Sequence, residues 1–151
     1  MNISWLRDRV GELLAAGYLM SLGTVDEGGV WVADVIYVHD DAFRIYWMSH
    51  PAARHSRALA THSQVAATIT VNSPGESNFG IQVTGRAEQV TGARHDLAVR
   101  HLAKRRHPMP AEGEDVLRGN SWYVLFPDRF DLIDEARFGF TKQVVVVGEH
   151  L

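Results

Sequence analysis

The sequence predicts a mainly β protein with α decoration, a small barrel or sandwich of six or seven antiparallel strands. Three observations carry that prediction. Short runs rich in apolar, β-branched and aromatic residues recur along the chain, each bounded by turn residues. One of them, FGIQVTGRAEQV (79–90), alternates cleanly: Phe79, Ile81, Val83, Gly85 and Ala87 share one face, Gln82, Thr84, Arg86 and Glu88 the other. Helical periodicity is confined to a few segments, chiefly the N-terminus and the stretch after that strand.

The first segment places Ile3, Leu6, Val10, Leu13 and Leu14 at helical spacing among Arg7, Asp8, Arg9 and Glu12, and it ends near Gly17. The period then changes. YLMSLGTV (18–25), the turn DEGG and VWVADVIYV (30–38) predict a hairpin, and FRIYWMS (43–49), after the turn HDDA, a third strand. Pro51 suits the first position of a helix that runs to about Ala60. VAATITV (65–71) is a compact apolar strand, SPGESN a surface loop, and 79–90 the alternating strand. A helix over about 92–106 carries Leu97, His101 and Leu102 among charges, and the two prolines of HPMPAEGE prevent its continuation. WYVLFP (122–127), RFDLI (129–133) and KQVVVV (142–147) are read as closing strands. No repeat, low-complexity tract or linker divides the chain, so residues 1–151 are expected to form one domain.

Composition narrows the chemistry. Of 151 residues, 46% are hydrophobic and 22% charged, ordinary for a globular protein. The absence of cysteine removes disulfides, thiolate metal sites and thiol nucleophiles, and fits a cytoplasmic location. No apolar run approaches the roughly 20 residues of a membrane span, and charges stand where a signal peptide has its apolar core. A net charge of −3 gives no global attraction to nucleic acid or to an anionic membrane. No phosphate loop, dinucleotide fingerprint or serine-nucleophile elbow occurs, and none of the eight histidines stand four apart as on a metal-binding helix.

One stretch stands out. YWMSHPAARHSR (46–57) hands an aromatic strand to a helix start carrying Arg54, His55 and Arg57. Such a junction suits a phosphate, because arginine grips phosphate bidentately, but on these residues alone a solvated basic face is the favoured reading. The order of elements resembles that of the pyridoxamine 5'-phosphate oxidase-like, FMN-binding split barrels. In that superfamily the third strand ends in Thr or Ser, and a Ser/Pro–Ser–Lys pattern, a Leu and an Asn-Pro turn follow. Ser49, Pro51 and Leu59 stand at matching positions, Val65 opens the next strand, and Gly85, Ala87, Glu88 and Val90 match a G-x-A-E-x-V signature. The departures are Ala53 for the Ser, His55 for the Lys and His62-Ser63 for Asn-Pro. A small branch of the superfamily is more similar still. It pairs Arg with His after the third strand, as Arg54-His55 does here, and has a G-[VI]-Q-[FV]-x-G strand like Gly80–Gly85.

The resemblance implies a six- or seven-stranded antiparallel split β-barrel and a homodimer with FMN at its interface. It also implies a flavin-dependent oxidoreductase that passes hydride or electrons to a small-molecule substrate. By position Arg54, His55 and Arg57 are phosphate residues, and Ser49 is a hydroxyl donor. Tyr46, Trp47 and Met48 either floor the ring or pack in the core. Gln82 either bonds the ring's polar edge or is an ordinary exposed strand residue. Asp34, on an otherwise apolar strand, either faces solvent or meets a ring edge. Lys104-Arg105-Arg106 answers a helix dipole rather than nucleic acid. Deazaflavin and haem are alternative cofactors on such a fold. The cationic charge is nearly all arginine, as is common in GC-rich genomes, including lineages that use deazaflavin. A non-catalytic binding or sensing module is the alternative role. No side chain nominates itself as a catalytic acid or base, and flavin chemistry needs none.

Overall fold

The computed structural model describes residues 2–148. Its elements are α1 (Ile3–Ala16), β1 (Leu19–Asp26), β2 (Gly29–His39), β3 (Ile45–Ser49), α2 (Arg54–Leu59), β4 (Gln64–Thr70), β5 (Phe79–Val90), α3 (His95–Lys104), β6 (Ser121–Asp134), α4 (Glu135–Phe138) and β7 (Gln143–Val146). All strand pairs are antiparallel, in the order β3-β2-β1-β4-β5-β6-β7, and β3 also pairs with β6. That second pairing closes six strands into a barrel and leaves β7 as a flap on β6. The expected split barrel is therefore the fold. No helix among the described residues is long and apolar enough to cross a membrane.

Alternation builds the interior. Val65, Ala67 and Ile69 of β4 and Ile81, Val83 and Ala87 of β5 point inward with Leu22, Tyr37, Trp47, Leu125 and Phe130. The apolar stripe of α1 (Leu6, Val10, Leu13, Leu14) joins this core, each fully buried Leu contributing about 1.5–3 kcal/mol. Asn2 caps the helix, its Oδ1 accepting from the Ser4 N–H at 2.9 Å. At the other end the chain needs glycine, because a Cβ at Gly17 would overlap the Tyr37 hydroxyl, which donates to the Leu14 carbonyl at 2.7 Å. A second, outer cluster forms where α3 lays Leu97 and Ala98 on Val38, Tyr46, Trp122 and Val124.

Two expectations are corrected. Residues 122–127 and 129–133 are one strand, β6, that runs through Pro127. Proline is tolerated there because the β5–β6 register shifts between Thr84 and Gly85, and the missing N–H falls at this bulge. A Cβ at Gly85 would overlap the Phe126 carbonyl, so the bulge requires glycine. Pro51 does not open a helix. The Ala52 N–H donates to His50 Nδ1 and the Ala53 N–H to the His50 carbonyl, both at 3.0 Å, and this turn delays α2 to Arg54.

Candidate functional site

Strand register leaves one outer face of the barrel bare. Side by side across five strands lie Asp34, Ser21, Thr68, Gln82 and Asp131, and next to them Val32, Gly23, Ala66, Thr84 and Arg129. Ser21, Gly23, Ala66 and Thr68 are small, so the middle of the sheet sinks into a groove of about 560 Å³, within the usual range for small-ligand sites. Gly23 keeps the floor low, since a Cβ there would meet the Ala66 carbonyl at 3.1 Å. The groove's polar groups are held in pairs. Ser21 Oγ donates to Asp34 at 2.6 Å, and Lys142, reaching in from the start of the β7 arm, donates to Gln82 Oε1 at 2.8 Å. Arg129 forks onto Asp131 at 2.6 and 3.0 Å and holds that carboxyl below its ordinary range.

A second groove shares Gly23, Ala66 and Thr84 with the first and extends along Val25 and Val30 toward the hairpin end. At that end Asp26, Glu27 and Gly28 of the turn and Arg54, Arg57, Ala58 and Thr61 on and after α2 line a further pocket of about 520 Å³. Arg54 bonds Asp26 there through Nε (2.8 Å) and Nη2 (3.1 Å). His55 Nε2 and Ser49 Oγ lie 2.8 Å apart. Burial pushes the His55 pKa below its ordinary value, so the imidazole is neutral at pH 7 and acts through hydrogen bonding rather than charge. Two hydroxyls in this part of the molecule, Thr24 Oγ1 on β1 and Ser56 Oγ beside His55, are buried without a hydrogen-bond partner among the described residues.

The residues singled out from the sequence fall into three places. Ser49, Arg54, His55 and Arg57 gather around α2. The amides of Ala52 and Ala53 are spent on the His50 turn, which leaves the side chains and the uncapped amides that open α2 at Arg54, His55 and Ser56. Gln82 stands apart from them, exposed in the central groove. The third strand faces elsewhere. Trp47 is fully buried inside the barrel, stacked on Tyr123 with centroids 6.0 Å apart, which leaves it no face for a ligand. Tyr46 is buried under α3 and its hydroxyl bonds Asp40 at 3.1 Å, while Met48 lines a pocket beside the end of α3. Among the described residues no cluster of three histidine, aspartate or glutamate side chains is placed to hold a metal. Sequence reasoning missed Asp26, Gly28 and Trp31 around Arg54, and Lys142 on Gln82. The available signal was VWV beside a glycine turn, a hairpin end apolar on both faces.

Comparison with known proteins agrees with this architecture. By sequence, no curated protein matches the chain. Solved structures that share the fold include the following three. The conserved hypothetical protein Rv2991 from Mycobacterium tuberculosis is 16% identical, with TM-score 0.75 over 100% of this chain and 95% of that one. A heme binding protein from Mycobacterium smegmatis is 17% identical, with TM-score 0.69 over 93% of this chain and 57% of that one. An F420 reductase is 17% identical, with TM-score 0.63 over 79% of this chain and 93% of that one. The sequence profile described as Pyridoxamine 5'-phosphate oxidase matches residues 6–134, from α1 to the end of β6. With its closed six-stranded barrel and that match over most of its length, the chain belongs to the pyridoxamine 5'-phosphate oxidase family.

Proposed function

We propose that the protein is a homodimeric FMN-binding flavoprotein, an oxidoreductase that passes hydride or electrons between the flavin and a small substrate. The observation that carries this reading is the bare outer face. Its groove is open and floored by small residues, as a flat ring system requires, and at the tip of the same β1–β2 hairpin a separate pocket holds two arginines. Arg54 and Arg57 would take the phosphate, with Ser49 and His55 beside them as neutral hydrogen-bonding groups. Gln82 keeps both amide protons for the ring's carbonyl edge while its oxygen accepts from Lys142. Lys142 places a positive charge at that end, which favours the reduced, anionic form of a flavin. When bound, the flavin supplies the redox chemistry, and the chain's task is to bind, orient and shield it.

A second copy of the chain is the partner that best fits the rest of this face. Val30 and Val32 are 76% and 60% exposed, and Val25, Val144 and Val146 are also exposed around the groove. Apolar side chains flanking a ligand groove lose water when a matching surface covers them. Deazaflavin is the second reading, supported by the likeness to an F420 reductase, because the same groove and phosphate residues suit it. The groove's lining offers iron no imidazole, thioether, thiolate or phenolate, which favours the flavin class over haem.

An absorbance spectrum of the purified protein with added cofactor tests the proposal. FMN gives two visible bands that stay with the protein through gel filtration, deazaflavin one, and haem a Soret band. A protein that retains no FMN refutes the reading. Flavin that binds but is never reduced by NADH or NADPH, and turns over no acceptor, assigns the site to binding or sensing.

A further inference from the structure

Arg54 is enclosed on three sides by the tip of the β1–β2 hairpin. Asp26 occupies one edge of the guanidinium, with Nε–H donating to Oδ2 at 2.8 Å and Nη2–H to Oδ1 at 3.1 Å. Trp31 lies against its plane, the ring centroid 4.4 Å from Cζ. Gly28 closes the third side. A Cβ there would stand 3.0 Å from Nη2 and 3.2 Å from Asp26 Oδ1, and its N–H donates to that same oxygen at 2.8 Å, bracing the carboxylate. Carboxylate, aromatic plane and missing Cβ all come from one six-residue tip, while Arg54 comes from α2.

A guanidinium has five N–H donors. Asp26 uses one on Nε and one on Nη2, so Nη1 and the second Nη2 proton have no hydrogen-bond acceptor among the described residues. Two parallel donors on one free edge match a phosphate. Held by the fork and the indole, the side chain has little rotamer freedom left to lose when a ligand arrives. We propose that Asp26, Gly28 and Trp31 are positioning residues, a socket that fixes Arg54 so that its free edge meets the ligand's phosphate. This rests on the reading above that Arg54 is a phosphate residue.

The opposite role for Asp26 is a competitor that fills the anion site until phosphate displaces it. Geometry favours the socket, because the carboxylate takes only one edge and leaves the other free. Arg54 also holds the Asp26 carboxyl below its ordinary range, so the pair persists across the physiological range. With Asp26 and Glu27 balancing Arg54 and Arg57 around this pocket, selectivity for phosphate must come from orientation more than from net charge.

The test is the affinity for FMN and for riboflavin, which lacks the phosphate, by quenching of flavin fluorescence. The proteins compared are the unaltered chain, Asp26→Asn, Arg54→Ala, the double variant, Trp31→Ala and Trp31→Phe. Arg54→Ala is expected to weaken FMN about 30-fold, the loss of charge-assisted hydrogen bonds, and to leave riboflavin unchanged. Asp26→Asn is expected to weaken FMN about tenfold, a usual effect of losing a group that orients a ligand-binding side chain. The double variant should bind no more weakly than Arg54→Ala, and Trp31→Phe should retain the affinity that Trp31→Ala loses. Tighter or unchanged FMN binding by Asp26→Asn, or additive effects in the double variant, overturns the socket while Arg54 keeps its role. Equal FMN binding by Arg54→Ala and the unaltered chain overturns the phosphate reading and the socket together. Should Asp26→Asn fail to fold, the Trp31 pair decides on its own: equal FMN affinity in both variants overturns the socket.

Discussion

The barrel has two outer faces, and they are treated in opposite ways. The face formed by β2, β3 and β6 is covered by the protein's own helix, α3, whose Leu97, Ala98 and His101 press on Tyr46, Trp122 and Val124. No helix among the described residues lines the groove on β1, β4 and β5. That face presents Ser21, Gly23, Ala66 and Thr68, with exposed valines on either side. Large aromatic side chains thus stand where the fold supplies its own cover, and small ones on the open side. The difference teaches that a sheet's outer face can be sorted into structural and receptive parts by side-chain size as well as by polarity.

The comparison is broken most severely from the covered side. Trp122 is fully buried and its indole N–H donates to the Ala93 carbonyl at 2.9 Å. Trp122→Ala should cost about 3–5 kcal/mol in urea unfolding, the range for deleting a buried Trp side chain. Acid acts on the same face. His101 is buried against Trp122, and burial, aided by Arg105, pushes its pKa down to about 4. Between about pH 4 and the ordinary value near 6.5 the unfolded chain binds a proton that the folded chain refuses, so stability must rise with pH there. The full effect is about 3 kcal/mol, and His101→Gln should flatten the unfolding profile over that window.

On the bare face, changes should leave the fold intact and alter what it binds. Val32→Glu should weaken the proposed dimer, measured by sedimentation, by about 2 kcal/mol, the cost of burying an unpaired charge. Its own unfolding free energy, measured on dilute monomer, should move by less than about 0.5 kcal/mol. Gln82→Ala is the mildest test. If the proposed flavin binds as inferred, it should weaken that binding by about 1 kcal/mol, one neutral hydrogen bond, with no change in thermal midpoint. A Val32 variant that unfolds like Trp122→Ala would erase the distinction between the faces.

Most of the barrel is legible in the sequence, because a strand with one buried face writes its alternation directly, as β4 and β5 do. The misreadings occur where a local rule was overruled by a neighbour. Pro127 reads as a strand end until β5 supplies the bulge that accommodates it. Pro51 reads as a helix start until His50 captures the next two amides. The third strand is ambiguous for another reason: with the core on one side and α3 on the other, Tyr46 and Trp47 are both buried, and no alternation tells which way each points. Around α2, element order singled out Arg54, His55 and Arg57 as candidates. Their partners were hidden because Asp26 and Trp31 reach α2 only through the register of the β1–β2 hairpin.

The closing pair of the barrel also sets the order of assembly. Ile45 meets Leu125 and Ser49 meets Ser121, so β3 stays unpaired on that side until β6 has been made. Because loop closure must be completed before such distant pairings return any stability, this step is slow compared with the β1–β2 hairpin. During synthesis the hairpin and the β4–β5 ladder can form early, while the open edge of β3 waits, exposed, for nearly the whole chain to emerge.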